Sequence, residues 1–156
     1  MRPALAPLLL LAACGGQGVP CDLARDRPAT ASSSADGGTP ALAFDGDDAT
    51  AWQSADSTGA WVQVDLGQQK EIAGARVLWG WDTATADNAE SRLEVSLDGG
   101  GWTPAVTSTL TLPLRLQPQF LSFAPAQARY VRLLATRWGG GAGQVNTLEV
   151  LRTGCQ

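Results

Sequence analysis

Apolar residues in this chain recur at every second position, in short runs cut off by glycine, proline or aspartate. Val62, Val64 and Leu66 alternate with Gln63 and Asp65, and Gly67 follows. Leu93, Val95 and Leu97 alternate with Glu94 and Ser96 before the turn Asp98-Gly99-Gly100. Val131, Leu133 and Ala135 alternate with Tyr130, Arg132 and Leu134. A period of two puts one face of an extended chain in a core and the other toward water. Further strands are expected at Ile72–Trp79, Trp102–Ser108, Leu114–Phe123 and Val145–Arg152, and a single helical turn at Pro40–Phe44. No segment carries a helical stripe over ten or more residues. Many short strands joined by Gly/Pro/Asp turns predict an all-β antiparallel sandwich or barrel. The 156 residues are enough for one such domain, and a hydrophobic fraction of 44% can fill its core.

Composition removes several kinds of chemistry. The chain contains no histidine, which excludes Ser-His-Asp and Cys-His nucleophiles, histidine-ligated zinc and histidine general bases. A formal net charge of −4 gives no footprint for nucleic acid. No apolar run approaches the ~20 residues of a membrane-spanning helix.

The first residues read as an address rather than as structure. Arg2 precedes a short apolar stretch, Leu5 to Ala13, and Leu11-Ala12-Ala13-Cys14 is followed by Gly15 and Gly16. This resembles a bacterial lipobox. It implies a signal peptide over 1–13, diacylglycerol on Cys14, a flexible linker over 14–20 and a domain over 21–155. Membrane association would be by lipid anchor alone, at a bacterial cell envelope. The competing readings are an ordinary secretory signal cut nearby and a chance apolar start. Three cysteines are an odd number. With Cys14 lipidated, Cys21 and Cys155 remain at the two ends of the domain. In an oxidising compartment they are expected to form a bridge, the alternative being two free thiols.

Several stretches, in order, resemble the coagulation factor 5/8 type C (discoidin) domain, whose fold carbohydrate-binding module family 32 shares. They are Leu23-Ala24-Arg25 with Pro28 to Ser33; Ala43-Phe44-Asp45-Gly46-Asp47 with Thr50, Trp52 and Ser54; Trp61 to Gly67; Val95 to Gly99 with Trp102; and Ala128 to Leu133. The resemblance covers residues 22 to 155. It implies an eight-stranded antiparallel jelly-roll sandwich with binding loops at one end. A disulfide joining the chain ends suits it. Trp52, Trp61 and Trp102 match tryptophans that mostly fill the core of such domains.

Asp45, Asp47 and Asp48 crowd around Gly46, and like charges so close repel unless a cation or a basic group sits among them. Oxygen ligands in a tight turn suit Ca²⁺. The resemblance implies a structural calcium site built from Leu42, Asp45, Asp47, Thr50, Leu148 and Glu149, and a two-residue shift of register would put Thr147 in place of Glu149. The competing reading is an Asx turn that caps a bend.

Ligand contacts are expected in two loops that mix aromatic, charged and amide groups: Trp79 through Asn88, and Arg137 through Asn146. Trp81, Asp82, Arg137 and Trp138 are the candidates, an aromatic face for sugar CH groups and polar groups for hydroxyls. The alternative is packing in the core or at the rim for Trp79 and Trp81, and a surface charge for Arg137. The expected function is non-catalytic glycan or glycoconjugate binding on an envelope lipoprotein. The alternative is a discoidin domain that contacts a surface protein. Glycosidase chemistry needs two positioned carboxylates, and Glu71, Glu90 and Glu94 lie on or beside strands.

Overall fold

The computed structural model describes residues 21–56, 59–80, 89–110, 117–137 and 143–155. Seven strands are present among them: β1 (Ala29–Ala31), β2 (Trp52–Gln53), β3 (Trp61–Trp79), β4 (Ala89–Ser96), β5 (Thr103–Leu110), β6 (Pro118–Arg137) and β7 (Gln144–Arg152). Every pairing is antiparallel. Pro40–Ala43 forms one turn of 3-10 helix, close to the expected position. Among the described residues no helix is long and apolar enough to cross a membrane.

Two strands depart from the sequence reading and give the sandwich its shape. The runs expected at 62–66 and 72–79 are one continuous strand, β3, and those expected around 114–123 and 131–135 both belong to β6. Their ladder breaks twice, between Asp65 and Lys70 and between Ile72 and Gly74. The first break holds Gly67 at φ +82°, a backbone only glycine adopts without strain, so Gly67 bends the strand instead of ending it. The second skips Phe123, Ala124 and Pro125 of β6, and proline has no N–H to give to a ladder. Beyond the bends the partners change. The first half of β3 pairs with β1 and with the end of β6, which pairs with β4, itself paired with β5. The second half of β3 lies between β7 and the beginning of β6, and β2 pairs with β7. The bent strands thus contribute to both layers of an antiparallel β-sandwich.

The inward residues are those the alternation predicts. Val62, Val64 and Leu66 of β3, Leu93 of β4, and Val131 and Leu133 of β6 are buried, together with Trp52, Trp79 and Phe44. Leu97 is the exception, at 57% exposure. Strand β4 ends at Ser96, because the Asp98 carboxylate accepts the backbone N–H groups of Gly100 (2.8 Å) and Gly101 (3.0 Å) and turns the chain before Leu97 can face inward.

The two chain ends meet. Cys21 and Cys155 form a disulfide with their Cα atoms 5.6 Å apart, 134 residues distant in sequence. Beside it, Asp22 bridges Leu151, and its carboxylate accepts the N–H groups of Ala24 (2.9 Å) and Val150 (3.0 Å).

The first bend is held by Arg129, whose guanidinium donates twice to the Asp65 carboxylate at 2.9 Å each. The hydrogen bonds from Arg129 hold the Asp65 carboxyl below its ordinary value, with help from the Gly67 N–H. An acid depressed in the folded state stabilises the fold above its unfolded value, and that stability is lost as pH falls through the folded one. Asp65→Asn is therefore expected to lower stability at neutral pH and to flatten its decline below about pH 4, an unfolded aspartate titrating near that point. Urea titrations from pH 2 to 7 check this, and a decline unchanged by the substitution contradicts it.

Candidate functional site

Both loops expected to touch a ligand leave the sandwich at the same end. β3 runs into the first at Trp79 and Gly80, and β7 emerges from the second at Gln144 and Val145. Trp79 pairs with Val145, and the Gly80 N–H donates to the Gln144 carbonyl at 3.1 Å. On the far side of the same loops, Glu90 pairs with Arg137. Trp81, Asp82 and Trp138, and the side chain of Arg137, lie outside the described residues, as do Cys14 and the leader.

The roots of these loops are rigid. Trp79 is fully buried and its indole N–H donates to Gln119 at 3.1 Å, so it packs in the core. A Cβ on Gly80 would lie 2.1 Å from Asn146 Oδ1 and 2.5 Å from Gln144 Cδ, so any side chain there would push both neighbours aside. Ser54, buried at the end of β2, exchanges hydrogen bonds with Gly143. This fixes the return of the second loop.

The acid turn lies against the same end of β7. Thr50 Oγ1 donates to Asp45 Oδ2 (2.7 Å), and lies 3.0 Å from the Asp47 carbonyl and 3.5 Å from the Leu42 carbonyl. Four of the six residues expected to ligate calcium thus converge. Of the two from β7, Leu148 pairs with Val77 in the β3 ladder, and the Glu149 carboxylate receives Arg76 Nη1 at 3.0 Å instead of joining the turn. What β7 turns toward the turn is neutral: Asn146 Nδ2 donates to the Asp48 carbonyl (2.8 Å) and Thr147 Oγ1 to the Asp48 carboxylate (2.6 Å). Asp48 also receives Arg76 Nη2 at 3.1 Å. The Thr147 and Arg76 hydrogen bonds hold the Asp48 carboxyl below its ordinary value. Among the described residues no three acids, histidines or cysteines are gathered as a metal centre. Calcium takes six to eight oxygen ligands, with carboxylates to balance its charge. The donors converging here do not fit that shell.

A second polar cluster lies on the outer face of the layer containing β4 and was missed by sequence reading. Glu94 is 3% exposed. It accepts Arg132 through Nε (2.8 Å) and Nη2, and Arg92 Nη2 at 2.7 Å. The Arg132 guanidinium lies 4.2 Å from the Trp102 ring centre and 5.8 Å from that of Trp61. These two tryptophans are thus half-buried covers for an ion pair, where the expectation had them filling the core.

Comparison with known proteins places this geometry. The F5/8 type C domain model matches residues 28–150. Chitosan-binding module 1 from a chitosanase/glucanase of Paenibacillus sp. IK-5 is 30% identical, with TM-score 0.69 over 83% of this chain and 97% of that one. Chitosan-binding module 2 of the same enzyme, solved with chitotriose, is 27% identical, with TM-score 0.69 over 83% and 99%. A family 32 module of a Clostridium perfringens protein, solved with GalNAc-β-1,3-galactose, shares the fold at 23% identity and TM-score 0.70, over 81% and 95%. No curated protein matches the chain.

Proposed function

Because the chain belongs to the F5/8 type C domain family, we propose that it is a non-catalytic glycan-binding module that grips sugar with the two loops springing from Trp79–Gly80 and from Arg137 and Gln144. The observation that carries this reading is the direct joining of the loop roots, Gly80 N–H to Gln144 carbonyl, on a rigid end of the sandwich. Roots joined on paired strands give the two loops a common platform from which to reach one ligand. The relatives solved with sugars support the class of ligand. In this reading Trp81 and Trp138 offer faces to sugar CH groups, and Asp82 and Arg137 take hydroxyls. The leader and Cys14 anchor the module by lipid to a bacterial envelope. The Cys21–Cys155 disulfide suits the oxidising compartment this requires.

A glycan array that includes chitotriose and GalNAc-β-1,3-galactose tests the proposal. Selective binding is expected, reduced at least tenfold in Trp138→Ala. Gly80→Ala is expected to weaken it too, because the added methyl displaces Asn146 and Gln144. A folded protein that binds no glycan overturns the reading. The surface-protein reading then gains, supported by Phe120, which stands 61% exposed beside Gly74 and Leu151.

A further inference from the structure

We propose that Arg76 and Asp48 fasten the acid turn to the last strand in the place where a calcium ion is expected, so that the ligand-binding end holds its shape without metal. A cation in such a turn does two things: it balances clustered carboxylates, and it ties the turn to a distant strand. In this chain both are done by side chains.

Balance comes from two arginines. Arg76 projects from β3 between Asp48 of the turn and Glu149 of β7, giving a different nitrogen to each, at 3.1 and 3.0 Å. A planar guanidinium can serve two carboxylates at once in this way, which a spherical ammonium does less well. The guanidinium of Arg25, on a largely exposed side chain, lies beside Gly46 of the turn. A Cβ on Gly46, which has φ +71°, would fall 2.6 to 2.9 Å from the Arg25 guanidinium atoms. Gly46 therefore admits a cation directly against the backbone between Asp45 and Asp47.

The tie comes from Asp48. One carboxylate oxygen takes the Thr147 hydroxyl, the other takes Arg76, and the carbonyl takes the Asn146 amide. Thr147 is 1% exposed and Asn146 6%, so the β7 donors are buried, while the Asp48 side chain that accepts from Thr147 and Arg76 is 54% exposed. Asn146 also abuts Gly80, which carries the tie to the root of the first ligand loop. With Thr147 neutral and Glu149 held by Arg76, β7 offers a metal no free carboxylate at this place.

The test is thermal melting and calorimetric titration of the purified protein with calcium chloride, set against chelator. The melting temperature is expected to agree within about 1 °C in millimolar calcium and in chelator, with no saturable heat of calcium binding. Asp48→Ala and Arg76→Met are each expected to lower the melting temperature by about 5 °C in both buffers, two side-chain hydrogen bonds being lost in either case. The double variant should lose less than the sum of the two, since the partners are shared. A rise of several degrees with calcium, or a stoichiometric binding heat, overturns the proposal. So does a variant that melts with the parent. If Asp48→Ala does not fold, Asp48→Asn, which keeps an acceptor for Thr147, takes its place with a smaller expected drop. The calcium comparison on the unaltered protein decides regardless.

Discussion

Replacing Cys21 and Cys155 with serine is expected to cost the fold about 5 kcal/mol, by the chain-entropy relation for a loop of this size. The bridge spans 134 residues, so its loss frees nearly the whole unfolded domain. For a domain of this length the melting temperature should fall by about 10–20 °C, from the usual entropy of unfolding per residue. Two further bonds near the bridge, Leu23 N–H to the Val150 carbonyl (2.8 Å) and Arg152 N–H to the Cys21 carbonyl (3.2 Å), do not compensate, because they exist only once the ends have met. Denaturant titration with and without reductant gives the number directly. A loss under about 1 kcal/mol would mean that the ends are held by the Asp22 bridge instead, a few sheltered hydrogen bonds being able to contribute that much.

Glu94→Ala is expected to be nearly as damaging, at about 3–5 kcal/mol, the usual result of removing one partner from a buried ion pair. The carboxylate is what lets Arg92 and Arg132 lie side by side on the sheet. Without it Arg132 beneath Trp102 and Arg92 both lose their shared carboxylate, and the Nε of Arg92 already has no partner among the described residues. Arg132→Ala should cost less, since Arg92 still balances Glu94. That ordering is the discriminating result. Urea melts of the two single variants establish it, and Arg132→Ala proving the worse of the two would show that packing on Trp102, not charge, holds this face together.

What could be read from the sequence was whatever is local. The alternation of Val62, Val64 and Leu66 declared both a strand and its buried face, and the same held for Leu93 and Val131. The disulfide followed from counting three cysteines and assigning one to the leader. Strand ends were harder. Gly67 looked like a stop because glycine commonly ends a strand, but whether it ends or bends one depends on Arg129 waiting across the sheet to take Asp65. The acid cluster was visible, and so was the demand for a cation. Which cation was hidden, because Arg76 lies 28 residues from Asp48 and 73 from Glu149, and only the register of β3 on β7 brings them together. Glu94 was dismissed with the other strand acids for the same reason: its partner Arg132 lies 38 residues away on β6.

The meeting of the chain ends has a mechanical consequence. The disulfide lies at the end of β7 where Arg152 pairs with Ile72, and the loops proposed to hold ligand spring from the opposite end, at Gln144. If the proposed lipid anchor pulls at residue 21 against a target held by those loops, it loads β7 along its length. Its hydrogen bonds to β3 run across that direction, so they resist in shear and must yield together rather than open one after another. The covalent ring passes the load from Cys21 to Cys155 and keeps the N-terminal arm from peeling away first. A domain wired in this way can be tugged from its root without letting go at its tip.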